Sequence, residues 1–487
     1  MTPTAAGGRS QAAAALADLR HVPFWLDRPA PADEPALTDR TTADLAVVGA
    51  GYTGLWAALL AKERNPGRDV VVLEARSAGW AASGRNGGFC AASLTHGLAN
   101  GLERWPDEIA TLERLGRENL DAIEKTVADQ GIDCSWERTG ELTVATAPWQ
   151  AEQLQDLVRR GQALGAGLEW LTAAEVRDRV SSTTYHGGVL DRDGVAMVDP
   201  ARLAHGLRQA CLRAGVRLHE NTPVESLTSG GTRGTRTRGA ASGMGSGPVL
   251  LGTPYGEVRA GRAVLATNAF RPLVRRLRSF VVPVWDYALV TAPLDPEQRA
   301  SIGWADRHGM ADAGNQFHYY RLTDDDRILW GGYDAVYHYG SRTDDRLDRS
   351  PGTFLTLAEN FQRTFPQLTG LPFTHGWGGV IDTCSRFSAF WGRALGGRVA
   401  YSLGYTGLGV GASRFGAQVA LDLLAGEETE RTRLEMVRRR PRPFPPEPVR
   451  WAGIELTRRA VARADAREGR RGPWLRTLDA LGLGFDS

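Results

Sequence analysis

Three glycines and one carboxylate carry the clearest chemistry in this sequence. Gly49, Gly51 and Gly54 stand in the order Gly-Ala-Gly-Tyr-Thr-Gly, with Tyr52 and Thr53 between the last two, and Glu74 follows twenty residues after Gly54. Thr42–Gly51 reads as a strand entering a turn, Leu55–Asn65 as a helix, and Asp69–Glu74 as a second, wholly apolar strand ending in an acid. In that setting each residue has a task. Gly49 permits the tight turn, Gly51 lets the backbone approach a pyrophosphate, and Gly54 lets helix and strand pack closely. The helix N-terminus turns free N–H groups and the positive end of its dipole toward the phosphates. Glu74 accepts hydrogen bonds from a ribose. The alternative is a glycine-rich turn that binds nothing, but strand, helix, second strand and acid together weigh against it.

The elements that must position these residues follow from patterning. The βαβ unit at the front predicts a parallel sheet. Asp199 and Pro200 open an amphipathic helix to Ala214, as N-cap and first helical residue, and Val258–Thr267 reads as another buried strand. Residues 280–395 alternate β-branched and aromatic residues between turn signals, which predicts a mostly antiparallel sheet. Tyr401–Gly426 returns to strand, glycine turn and helix. The expected fold is α/β, a Rossmann-type domain interleaved with a largely antiparallel second domain. The first comprises 41–100, 195–275 and 396–426; the second comprises 101–194 and 276–395. Residues 1–40 read as an extended arm anchored by Phe24 and Trp25, and 427–487 as a basic, proline-rich extension with an amphipathic helix at Trp451–Ala466. Residues 228–248 are of low complexity and predict a flexible hairpin loop.

Bulk composition narrows the function. With 58 basic against 56 acidic side chains and a formal charge of +2, there is no global field to attract nucleic acid or an anionic membrane. Four separated cysteines, Cys90, Cys134, Cys211 and Cys384, form no CxxC pair, so neither a disulfide framework nor a metal site is expected. The apolar run Ala46–Ala61 is broken by glycines and predicts no membrane span. No secretory pattern opens the chain, and a cytoplasmic protein is expected. No feature fixes an oligomeric state. Lysine occurs at Lys62 and Lys125 alone.

The segment VVGAGYTGLWAALLA…VVVLEA, followed by SGRNGG at Ser83–Gly88, resembles the FAD-dependent D-amino-acid oxidase superfamily, most closely its glycine, sarcosine and gamma-glutamylputrescine oxidase branch. GGVLDRDGVAMVDPARLAHGLRQACLRAGVRLHENTPVESL, HYYRLTDDDRILWGG and GYTGLGV match in the same order, from about Ala43 to Gly426. The resemblance implies FAD, held non-covalently. It implies that Gly49, Gly51, Tyr52, Thr53, Gly54, Glu74, Ala75 and Arg76 hold the adenosine diphosphate end. Ser83, Gly84, Arg85, Asn86 and Gly87 would run along the pyrophosphate and flavin, with Arg85 and Asn86 donating hydrogen bonds. Val224 would contact the adenine side through its backbone, and Thr267 and Asn268 would close the strand below the cofactor. Gly404, Tyr405, Thr406, Gly407, Leu408 and Gly409 would form a loop whose following helix aims its N-terminus at the flavin edge.

On the substrate side, the resemblance implies that Tyr319, Tyr320, Arg321 and Trp330 lie over the flavin and position substrate, with Tyr333 beside them. Arg321 could grip a carboxylate, with Arg386 as competitor, and the rings could enclose an amine; the plain alternative is core packing. Oxidation of the C–N bond of a small amine or amino acid is the implied reaction, with oxygen or another acceptor taking the electrons. No lysine lies on the later substrate strands, where sarcosine-oxidase-like members have one. Oxygen use would then need another cation such as His318 or an arginine, and otherwise a quinone or carrier would serve. A buried structural thiol is expected at Cys384. A reading from another class, an RNA-binding tRNA-modification factor, rests on the basic extension alone, and no nucleic acid is expected.

Overall fold

The computed structural model describes residues 5–230 and 247–483; most of the low-complexity segment read as a loop lies outside them. Val70–Leu73 is four buried aliphatic residues in a row, as a strand covered on both faces requires. It lies in a sheet of order Phe390–Ala394, Val399–Leu403, Glu257–Leu265, Arg40–Val48, Val70–Leu73, Arg217–His219. Every neighbouring pair runs parallel except the first, which is an antiparallel hairpin. Ser226–Ser229 and Val249–Gly252 add an antiparallel pair. Helices Tyr52–Arg64, Pro200–Arg213 and Gly409–Ala425 cover the sheet, and each buried Val or Leu beneath them contributes roughly 1.5–3 kcal/mol. The cap on the middle helix is as read: Asp199 accepts from Arg202 N at 3.0 Å, and Gly215, at φ +79°, ends it.

The second sheet has the order Val336–Tyr337, Val282–Thr291, Ile328–Gly332, His318–Leu322, Gly309–Asp312, Glu141–Val144, Gly187–Asp191, Leu168–Thr172, with Phe373–Thr383 paired to Val282–Thr291. It is antiparallel throughout except between Gly309–Asp312 and Glu141–Val144. Its back face is an aromatic core of Tyr320, Trp330, Trp304, Phe361 and Phe365.

Three segments differ from the sequence reading. The N-terminal arm contains a helix, Ala5–Ala15, seated through Ala12 and Ala15 on the aromatic core's side. Trp25 is buried as expected of an anchor, with Phe24 beside it. Helix Ile109–Asp129 packs on the first domain, burying Leu120, Ile123 and Val127 there, and Asn119 Nδ2 donates to Gly411 O at 2.9 Å. An amphipathic pattern declares an apolar face but not which domain receives it. Phe390–Ala394 joins the parallel sheet because a tight hairpin ties it to Val399–Leu403. The C-terminal extension forms helices Val449–Asp465 and Pro473–Ala480. Among the described residues no helix is long and apolar enough to cross a membrane.

Candidate flavin and substrate site

A cavity of about 1630 Å³ lies between the two sheets, larger than the roughly 300–1,000 Å³ of a site for one small ligand. One end is backbone. Gly49 has φ +102°, and a Cβ there would fall 2.5 Å from Ala266 O; on Gly54 it would fall 1.8 Å from Gly49 O. The helix starting at Tyr52 has no side-chain cap and no acid in its first turn, so its tip is open to an anion. Tyr52 N meets Ser83 Oγ at 2.9 Å, Tyr52 Oη donates to Pro200 O at 2.8 Å, and Thr53 Oγ1 donates to Tyr405 Oη at 3.0 Å. Glu74 lines the cavity and accepts from Ala50 N at 2.7 Å and from Arg76 N and Trp80 Nε1 at 3.0 Å. Burial raises its pKa. Two carboxylate oxygens offer about four acceptor positions, so a sugar hydroxyl still has a partner.

Ala75, Val224, Thr267 and Asn268 line the same end. Arg76, Gly54, Gly84 and Gly404 do not. Arg76 lies over Trp80 at 4.1 Å and pairs with exposed Asp345 at 2.9 Å. The three glycines serve close packing, since a Cβ on Gly84 would meet Gly79 O at 2.4 Å and one on Gly404 the Phe390 ring at 2.8 Å.

In the loop Ser83–Gly88, Arg85 and Asn86 already have partners within the protein. Arg85 donates to Trp80 O at 2.8 Å and to Asp348 at 2.5 Å. Asn86 Nδ2 donates to Ala82 O at 2.9 Å and Ser83 O at 3.1 Å, while its Oδ1 accepts from Gly88 N at 2.8 Å. Both residues line the cavity, and their side chains also hold the loop. The loop's carbonyls are held from outside: Trp377 Nε1 donates to Arg85 O and Trp25 Nε1 to Asn86 O, each at 2.9 Å, and Arg321 Nη1 to Gly88 O at 3.3 Å.

The loop Gly404–Gly409 is set by Asp382, which accepts from Gly404 N at 2.5 Å and Tyr405 N at 3.1 Å. Desolvation raises the Asp382 pKa to about 7. Thr406 and Gly407 both have positive φ, 50° and 94°. Tyr405, Thr406, Gly407, Leu408 and Gly409 face the cavity, and the following helix also begins without a side-chain cap. The glycine cradle, two open helix tips and the free acceptor capacity of Glu74 fit FAD.

The opposite wall is made of side chains. Tyr319 lies over Gly87, whose Cβ would come within 2.7 Å of the ring. In the sheet Tyr319 faces Gly331, which faces Ala288 on the next strand. Because Gly331 has no side chain, the phenol crosses it and donates to Asp286 Oδ2 at 2.7 Å. Asp286 is half-buried and opens on the cavity, and desolvation lifts its pKa to about 6. Asp312 and Glu141 line the same space, and desolvation lifts each to about 7. The sequence reading missed Asp286, Asp312 and Asp382. A charge inside apolar VVPVWDYALV and GGVIDT is the signal that could have found two of them.

The structure does not bring Tyr320, Arg321 and Trp330 to the cavity. Successive strand residues point to opposite faces, so Tyr320 and its partner Trp330 enter the aromatic core, where Tyr320 Oη meets Tyr185 Oη at 2.8 Å. Arg321 is buried and donates to Val198 O at 2.7 Å as well as to Gly88 O; desolvation lowers its pKa to about 10. Arg386 is likewise used up on carbonyls, including Arg439 O at 2.7 Å. His318 is no cation. It is stacked between Trp330 and Tyr333, at 4.3 and 5.1 Å, and burial lowers its pKa to about 3. Cys384 is a buried thiol donating to Ser388 O at 3.1 Å, outside the cavity lining.

Comparison with known proteins agrees with this geometry. Residues 44–423 match the model of the DAO family of FAD-dependent oxidoreductases. Gamma-glutamylputrescine oxidoreductase of Escherichia coli (strain K12) is 30% identical over 397 residues, covering 80% of this chain and 85% of that protein. Glycine oxidase from Geobacillus kaustophilus superposes with a TM-score of 0.65 at 20% identity, over 80% of this chain and 96% of that one. L-proline dehydrogenase from P. horikoshii gives 0.63 at 18% identity, over 81% and 96%. A backbone cradle for a diphosphate, a βαβ unit ending in Glu74 and a match through most of its length lead to one conclusion: the chain belongs to the DAO family and is an FAD-dependent oxidoreductase.

Proposed function

We propose that the protein oxidises a C–N bond of a small amine or amino acid, with FAD held non-covalently. The carrying observation is the Asp286–Tyr319 pair on the wall across from the Gly404–Gly409 loop. At neutral pH a carboxyl with pKa about 6 is mostly ionised, so it can hold an ammonium and take up a proton from it, leaving a lone pair on nitrogen. When bound, FAD supplies the acceptor for the hydride leaving the adjacent carbon. Tyr319 fixes the carboxylate's orientation through its hydrogen bond, and Gly87 and Trp377 bound the space in which the C–H bond is aligned. The resulting imine is hydrolysed by water. The names of the relatives support this reading, being those of enzymes of putrescine derivatives, glycine and proline.

With Arg321 and Arg386 committed to carbonyls, a carboxylate anchor on the substrate would need another partner, so the acidic wall favours an amine over an amino acid. A second reading concerns the acceptor: oxygen or a quinone or carrier. The remoteness of Lys62 and Lys125 from the cavity and the neutrality of His318 favour the latter. Anaerobic mixing of the yellow protein with an amine and amino-acid panel tests the reaction; a flavin band that no compound bleaches rejects it. Assays in air with a dye distinguish the acceptors, fast dye reduction without hydrogen peroxide marking the dehydrogenase. Colour retained in acid-precipitated protein would reject non-covalent binding.

A further inference from the structure

The C-terminal extension lies beyond the matched family region 44–423, yet it lines the cavity. It is fastened to the ends of the two strands that carry Tyr319 and Gly331. Arg458 Nη1 donates to both carboxylate oxygens of Asp334, at 2.8 and 3.0 Å, one residue past Tyr333. Asp465 accepts from Gln316 N at 2.9 Å and Asn315 Nδ2 at 2.6 Å, three residues before Tyr319. Glu447 accepts from Tyr337 Oη at 2.5 Å.

Much of what this roof offers inward is apolar, beside Arg450, Thr457, Arg458 and Arg471. Ile454 and Val461 on helix Val449–Asp465, with Trp474 and Leu478 behind them, line the cavity together with Trp149 and Leu157 of helix Pro148–Ala163. All six side chains are only half-buried, and all six line the cavity. The roof's charges are spent: Arg458 also pairs with Glu455 at 2.8 Å, and Arg471 with Asp479 at 2.6 Å. An apolar surface lining a cavity gains from a ligand that covers it.

We propose that the extension builds a distal compartment of the substrate site, which takes the apolar alkyl or aryl group of an amine whose nitrogen lies at Asp286. The inference rests on the amine reading above. It follows from continuity: the compartment and the Asp286–Tyr319 wall belong to one cavity, and the roof is tied to the very strand ends beside that wall. It makes the extension a determinant of which amines are accepted.

The test uses the full-length holoprotein and a series of linear primary amines of increasing chain length. Expected is a rise in kcat/KM of about fourfold per methylene over several steps, the transfer gain of a buried CH₂. Ile454→Trp and, as a second variant in case the first misfolds, Val461→Phe should flatten that slope. Leu456→Ala, on the exposed side of the same helix, should keep it. A readout independent of turnover is the fluorescence of N-phenyl-1-naphthylamine, which the wild type should enhance and Ile454→Trp should not, with long amines displacing the probe. A flat slope with no probe enhancement, in a protein whose flavin amines still bleach, overturns the compartment and leaves the amine reading standing. Probe binding displaced by long amines, without bleaching by any amine, supports the compartment and rejects the amine chemistry.

Discussion

The two ends of the cavity are built by different means. At the dinucleotide end the recognising groups are main-chain N–H groups, and the side chains that matter are absent ones, at Gly49, Gly51 and Gly54. At the proposed substrate wall the groups are side chains, Tyr319 and Asp286, drawn together from strands two apart across Gly331. A backbone site depends on local turn geometry, so it tolerates no added atom. A side-chain site depends on register, so it tolerates substitution with graded loss.

That contrast can be broken by experiment. Gly54→Ala should have the largest effect, because its Cβ would fall 1.8 Å from Gly49 O; the protein should purify without yellow colour and lose about 3 kcal/mol or more of stability. A variant with full flavin content would refute the backbone-cradle account. Asp286→Asn should keep its flavin but lose about 100-fold or more in flavin-bleaching rate with amines. In the wild type that rate should fall as pH drops through about 6, where Asp286 takes up its proton, and the variant should lack that limb. Tyr319→Phe should cost about tenfold, one hydrogen bond to a charged group. Arg321→Gln should leave KM unchanged while lowering stability by about 1–3 kcal/mol, having orphaned the carbonyls of Gly88 and Val198; a raised KM would return it to substrate binding. The smallest effect concerns Asp312, whose folded pKa of about 7 exceeds its ordinary 3.8. Its stabilisation is fully present below the ordinary value and is lost as pH rises through about 7. Asp312→Asn should therefore gain on the wild type progressively between about pH 4 and pH 7 and hold that gain above, by on the order of 1 kcal/mol or more, in melting curves.

The same contrast explains what the sequence disclosed. The Gly49–Glu74 unit was legible because its geometry is local: turn, helix start and next strand follow within one supersecondary motif. The substrate wall was not. Of Tyr319, Tyr320 and Arg321, read together from the sequence, Tyr319 alone lines the cavity: strand alternation sends Tyr320 to the opposite face, and Arg321 is taken by the carbonyls of Gly88 and Val198, far back in the chain. Asp286 reaches Tyr319 only through the pairing of three strands, which no spacing reveals. Arg85 and Asn86 show a subtler limit: both line the cavity, yet their side chains also brace their own loop, which no spacing reveals.

The three donors from Trp377, Trp25 and Arg321 to the carbonyls of Arg85, Asn86 and Gly88 stitch arm and substrate domain to the flavin loop. One of these hydrogen bonds is buried and two are part-buried, and together they form a seam that fastens the loop's backbone through groups outside the loop. The extension takes no part in that seam: its own ties, Arg458 to Asp334 and Asp465 to Asn315 and Gln316, run to the far ends of the strands, so the cavity is braced from two independent sides.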